Sequence, residues 1–130
     1  MMAVPVTLSA VTPVVNFTSG VGVYGTNPQI KLGSVYALWS GNASGDKRVI
    51  NAGPSNDANP VLIKVLGNTS NTSVNTNFIV TGYNASDLNL DGRTIAAGPG
   101  NEINTILTNI FTHPGNTTLA ANYIVQTKLP

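Results

Sequence analysis

Residues 84–104 read NASDLNLDGRTIAAGPGNEIN. Asp87, Asn89 and Asp91 alternate with apolar residues and Gly92 follows, which is how an oxygen-ligated calcium loop begins. A loop of roughly twelve residues would end on a carboxylate, yet Gly98 stands at that place. The next acidic residue is Glu102, at the start of an apolar segment of helical period.

The missing ending is explained by an internal repeat. Gly53-Pro54 aligns with Gly98-Pro99 at a displacement of 45 residues, and the register runs without a gap from Asn42–Ala85 to Asp87–Pro130. Asp46 falls on Asp91, Arg48 on Arg93, Ile50 on Ile95, Asp57 on Glu102 and Leu62 on Leu107. Asn71-Thr72 falls on Asn116-Thr117, and Asn77-Phe78-Ile79-Val80 on Asn122-Tyr123-Ile124-Val125. A fixed period of this length marks a repeated supersecondary unit.

Each copy carries the same helix signal. Ile103, Ile106, Leu107, Ile110 and Phe111 form one apolar stripe, and Ala58, Val61, Leu62, Val65 and Leu66 repeat it. Pro60 falls in the first turn, where its missing N–H would have no helical partner, and Gly67 is expected to end the helix in the left-handed conformation. The runs Phe78-Ile79-Val80 and Tyr123-Ile124-Val125 read as short strands or extended segments. Residues 1–40 differ in kind. Val4, Val6, Leu8 and Ala10 alternate with Pro5, Thr7 and Ser9, which predicts a strand that Pro5 confines to an edge, and Val14-Val15, Val21–Val23 and Val35–Trp39 suggest further strands. The expectation is an α+β chain forming one compact domain. A β-rich amino-terminal portion (1–40) packs on a duplicated loop–helix–strand module (41–130), with repeats over 42–85 and 87–130.

Read together, the two loops offer two sets of oxygens. The second has Asp87, Asn89 and Asp91, the Arg93 carbonyl, and Glu102 as closing carboxylate; the first has Asn42, Ser44 and Asp46, the Arg48 carbonyl, and Asp57. Both closing carboxylates follow the first ligand by 15 residues, so each loop resembles an EF-hand loop lengthened by a Gly-Pro segment. Two Ca²⁺ sites are therefore expected. The first should be weaker, because it has fewer carboxylates and Lys47 occupies a turn position suited to glycine.

The pair of loop–helix units is similar to the dockerin-type calcium fold. The segment YGTNPQIKLGSVYALWSGN (Tyr24–Asn42), followed by two GP-x-N-[D/E]-x-N repeats and a terminal QTKLP, resembles the repeat region of large secreted surface proteins of Bacteroidota, some described as haemagglutinins or adhesins. That resemblance implies an exported or cell-surface, calcium-binding, non-catalytic module. The alternative it leaves is a dockerin-like module that recognises a separate protein or glycan.

Composition narrows the field further. Charged residues are 8% of the chain and the net charge is +1, too little basic character for a nucleic-acid stripe. With no Cys, disulfides and thiolate metal sites are excluded. No apolar run is long enough to span a membrane. The chain lacks a signal-peptide pattern, so an exported protein would have its signal outside this sequence. His113 before Pro114 reads as a turn residue, and the few carboxylates belong to the loops, leaving no pair for glycoside hydrolysis. An enzyme is not expected. Trp39 and Tyr36 could form a sugar platform, but core packing is the simpler role for Trp39. Six N-x-S/T sequons, at Asn16, Asn42, Asn68, Asn71, Asn84 and Asn116, arise easily in a chain so rich in Asn and Thr. The expected associations are self-assembly through the alternating amino-terminal strand or contact with other surface proteins.

Overall fold

The computed structural model describes residues 2–7, 9–11 and 13–127. Leu8 of the expected amino-terminal strand, and the last three residues of the terminal QTKLP, lie outside them. The class is α+β: the described residues form two helices and three small antiparallel sheets. Strands β1 (Gln29–Leu32) and β2 (Val35–Leu38) form a hairpin in register Gln29↔Leu38 to Leu32↔Val35. Gly33, with φ of 61°, takes the first position of its two-residue turn, where the hairpin twist demands a positive φ. Next in the chain come β3 (Arg48–Val49), α1 (Ala58–Leu66), β4 (Val80–Thr81), β5 (Arg93–Thr94), α2 (Glu102–Thr112) and β6 (Val125–Gln126).

The two short ladders cross between the copies. β3, at the end of the first loop, pairs with β6, after the second helix; β5, at the end of the second loop, pairs with β4, after the first helix. Displacing one ladder by 45 residues gives the other, so each copy supplies the partner strand the other needs. The flanking bonds repeat in the same way: Thr127 N–H donates to the Lys47 carbonyl at 2.8 Å and Gly82 N–H to the Gly92 carbonyl at 2.7 Å.

α1 packs on α2. Val61 and Val65 from one helix and Ile106 and Ile110 from the other are fully buried, together with Val49 and Val125 of the β3–β6 ladder. These are the inner positions of the two apolar stripes; Phe111, at the stripe's edge, is left exposed. Buried amides brace the helix ends. Asn71 Nδ2 donates to the Val65 and Asn75 carbonyls, and Asn116 Nδ2 to those of Ile110 and Ala120, at 2.9–3.0 Å. Each amide thereby satisfies a last-turn carbonyl that the helix itself leaves free. These two sequon amides are committed to the fold. Gly67 departs from expectation: its φ is −83°, and its N–H donates to the Ile63 carbonyl at 2.9 Å, so the helix ends without a left-handed residue there.

The amino-terminal portion needs the larger correction. Among the described residues no strand forms over Val4–Ala10 or at Val14-Val15, and Val21–Val23 contributes only a single bridge, Met2↔Val23. The physical reason is the lack of a partner. Pro5 offers no N–H, Ser9 Oγ turns back to the Val11 carbonyl, and among the described residues the antiparallel contact with Gly22 and Val23 stops at Met2 and Ala3. The β character of residues 1–40 therefore resides in the β1–β2 hairpin. Trp39, just after β2, fastens this portion to the core: it is 7% exposed, and its indole N–H donates to the Asn27 carbonyl at 2.8 Å. Asn109 of α2 adds a polar tie, donating to the Ser40 carbonyl and hydroxyl.

Candidate metal centre

Each loop curls because side-chain oxygens near its start accept backbone N–H groups further along. In the second loop Asp87 Oδ1 accepts from Asp91 N–H at 3.1 Å and Oδ2 from Gly92 N–H at 3.0 Å. Asn89 Oδ1 accepts from Asp91 N–H at 2.9 Å, and Asp91 Oδ1 from Arg93 N–H at 2.9 Å. The turn needs two left-handed residues, Leu90 (φ 61°) and Gly92 (φ 78°). The first loop has the same two, Gly45 (φ 74°) and Lys47 (φ 71°), with the glycine at the other position. Lys47 thus holds the conformation that glycine adopts without a steric cost.

The Gly82–Gly92 bond makes that pair the hydrogen-bonded one, so Thr81↔Arg93 is the non-bonded pair of the alternation. The Arg93 carbonyl consequently faces away from β4, on the side where its N–H already meets Asp91. The same logic, through Thr127 and Lys47, turns the Arg48 carbonyl away from β6.

The closing residue arrives from the helix start. Asn101 caps α2, its Oδ1 accepting from Asn104 N–H at 2.9 Å. This leaves Glu102 free to turn inward, where it is fully buried and its Oε2 accepts from Ile95 N–H at 2.6 Å. Its other oxygen, Oε1, is buried without a hydrogen-bond partner. Carboxylate oxygens of Asp87, Asp91 and Glu102 lie within 4.8 Å of one another. This acidic triad could hold a metal ion.

Electrostatics make the arrangement costly without one. Asp87 and Glu102 are both buried, and two unit charges 4.8 Å apart repel by roughly 3.5 kcal/mol at an effective dielectric near 20. Burial, reinforced by the Asp91 and Asp87 charges and opposed by the bond from Ile95, pushes the Glu102 carboxyl above its ordinary pKa of 4.5. A divalent cation would relieve the repulsion and supply Oε1 with a partner.

The first loop places its residues alike and uses them differently. Asp57, buried at the start of α1, accepts from Ile50 N–H with Oδ2 at 2.8 Å and from Ser44 N–H with Oδ1 at 2.9 Å. Asn42 Oδ1 accepts from the N–H groups of Gly45 and Asp46 and from the Ser44 hydroxyl. Asp46 is paired with the Arg48 guanidinium at 2.6 Å, which lowers its pKa. So Asp87, Asp91 and Glu102 come together with a buried carboxylate oxygen to spare, whereas every carboxylate oxygen of Asp46 and Asp57 is already engaged.

Sequence reasoning treated Arg48 and Arg93 only as carbonyl donors and missed their guanidinium groups. The signal was present in the Asp-x-Arg spacing shared by both loops. His113 is buried between Trp39 and Tyr123, with ring centroids 5.0 and 5.3 Å away, and its Nδ1 accepts from Gly115 N–H. Burial lowers its pKa. Among the described residues no helix is long and apolar enough to cross a membrane. No family model, curated protein or solved structure matches the chain.

Proposed function

We propose that this chain is a calcium-stabilised, non-catalytic module of an extracellular or cell-surface protein, structural or adhesive in role. The observation that carries the reading is the buried, unpartnered Oε1 of Glu102 beside the carboxylates of Asp87 and Asp91. A hard, oxygen-seeking cation fits this donor set, and Ca²⁺, which accepts irregular coordination, fits it better than Mg²⁺, which demands a tight octahedron. Without cysteines, an ion that binds only the folded chain takes over the stabilising part a disulfide would play. The dockerin-like reading of the two loop–helix units, and their likeness to Bacteroidota surface proteins, belong to this proposal.

The test is thermal unfolding in calcium and in chelator. At a calcium concentration 100-fold above Kd the ion contributes about 2.7 kcal/mol, or roughly 10 °C in a domain of this size. An unfolding temperature indifferent to chelator would sink the proposal.

Association is the second part of the reading, and one surface favours it. Met2, Val4, Val6, Val15, Phe17 and Tyr24 border an open, largely apolar hollow of about 710 Å³ on the amino-terminal portion. Self-association through this segment, by strand addition to a neighbouring copy, is the occupant we favour over a separate protein or glycan partner. Light scattering on the chain lacking residues 1–12 should then report monomers where the full chain assembles. Assemblies that persist unchanged would assign association to another surface.

A further inference from the structure

The two loops meet the same electrostatic requirement by different means. We propose, resting on the calcium reading of the second loop, that the chain takes up one divalent cation, in that loop alone, and that the Arg48 guanidinium stands in for the ion in the first.

In the first loop Asp46 Oδ1 accepts from Arg48 N–H at 3.0 Å, and Oδ2 accepts from Arg48 Nε and Nη2 at 3.1 and 2.6 Å. Both oxygens of Asp57 and the one of Asn42 are engaged by backbone N–H groups. A cation entering here would have to displace a guanidinium whose Nε and Nη2 both bond to Asp46 Oδ2, charge-assisted bonds stronger than neutral ones. Two carboxylates and one guanidinium also leave only a single negative charge to attract it.

The second loop has the same arginine two residues after the same aspartate, yet Arg93 Nε stands 3.6 Å from Asp91 and makes no hydrogen bond with it. Three carboxylates then face one loosely held guanidinium. The residue at the closing position decides the rest. Asp57 is one methylene shorter than Glu102, and its second oxygen finds the Ser44 N–H; Oε1 of the longer Glu102 lies near the Asp87 and Asp91 carboxylates, where nothing donates to it. One copy is closed by its own cation and the other is left open for a diffusible one.

Calorimetric titration of the full chain with CaCl₂ tests this. The expected stoichiometry is one ion per chain. Asp46→Asn, half-buried in the first loop, should leave stoichiometry and affinity unchanged, while Asp91→Asn should weaken binding by about tenfold or more, since ligand charge sets affinity. Two ions per chain, falling to one in D46N, would overturn the assignment of the first loop. So would a single ion lost in D46N and retained in D91N. A wild-type chain that binds none would overturn the calcium reading on which the proposal rests.

Discussion

Replacing Glu102 by Gln should abolish the response to calcium while leaving the metal-free protein more stable than the wild type. A simple helix-capping or packing role for Glu102 would not produce these opposite effects together. The amide oxygen of Gln can accept the Ile95 N–H as Oε2 does, so the bond that holds the side chain inward survives. The amide nitrogen then occupies the place of the unpartnered Oε1, facing the carboxylates of Asp87 and Asp91, and supplies a donor where there was a like charge. Relief of one buried unsatisfied group amounts to about 1–3 kcal/mol. At the same time the site loses a charged ligand and its affinity for a divalent ion. The roughly 10 °C separating calcium from chelator in the wild type should therefore collapse in E102Q. A variant that keeps the full calcium shift would remove Glu102 from the ligand set.

pH separates the electrostatic origin of this effect from packing. Burial first, and then Asp91 and Asp87, raise the Glu102 pKa in the folded chain above 4.5. The metal-free folded state therefore binds a proton more readily than the unfolded state. The stability it gains is fully present below pH 4.5 and is lost as pH rises through the folded pKa. E102Q has no proton to lose. The gap in unfolding temperature between metal-free E102Q and metal-free wild type should open as pH climbs from about 4.5 toward neutrality. Asp46, Asp57 and His113, whose pKa values also move, are present in both proteins and cancel from the difference. A gap independent of pH would mean that the charge of Glu102 is not what the metal-free fold resists.

Much of this site is legible in the sequence because it depends on local spacing. Alternating Asp87, Asn89 and Asp91 curl the loop through bonds that span two to five residues, and a helical apolar stripe places Glu102 at a helix start whatever surrounds it. The side-chain partners of the arginines were less accessible. Arg48 and Arg93 occupy equivalent positions after equivalent aspartates, and only the three-dimensional placement shows one folded onto its carboxylate and the other standing off. The amino-terminal misreading has another cause. Alternation from Val4 to Ala10 states which face of a strand would be buried, but a strand exists only where another accepts its hydrogen bonds, and periodicity carries no information about that partner. The same limit hid the crossing of the ladders: Val80 and Val125 read as strand residues, while their pairing with the opposite copy is a tertiary fact.

That crossing leads to the largest expected effect. Cleaving the chain into fragments 1–83 and 84–130 should leave neither able to fold alone, and mixing them should restore the fold. The first fragment retains β3 and β4 but loses β6 and β5, the strands with which they pair. It also keeps α1, of 9 residues, without α2, against which Val61 and Val65 are buried. A helix shorter than about 12 residues is marginal in water even with a favourable composition, and two-residue strands have no independent stability. The second fragment is symmetric in its losses: α2 without α1, and β5 and β6 without partners. Far-UV circular dichroism should show little helix in either fragment and a cooperative thermal transition only in the mixture, with a midpoint that rises with concentration. Calcium should promote reassembly even though every candidate ligand of the second loop lies in one fragment. A bound ion would tie the Asp91–Arg93 turn to Glu102, which already holds Ile95, and Arg93 and Thr94 between them are the residues to which β4 of the other fragment adds. If fragment 1–83 instead unfolds cooperatively on its own, the exchanged ladders are decoration on an already stable half. If reassembly proceeds equally well in chelator, the second loop does not organise the strand it precedes.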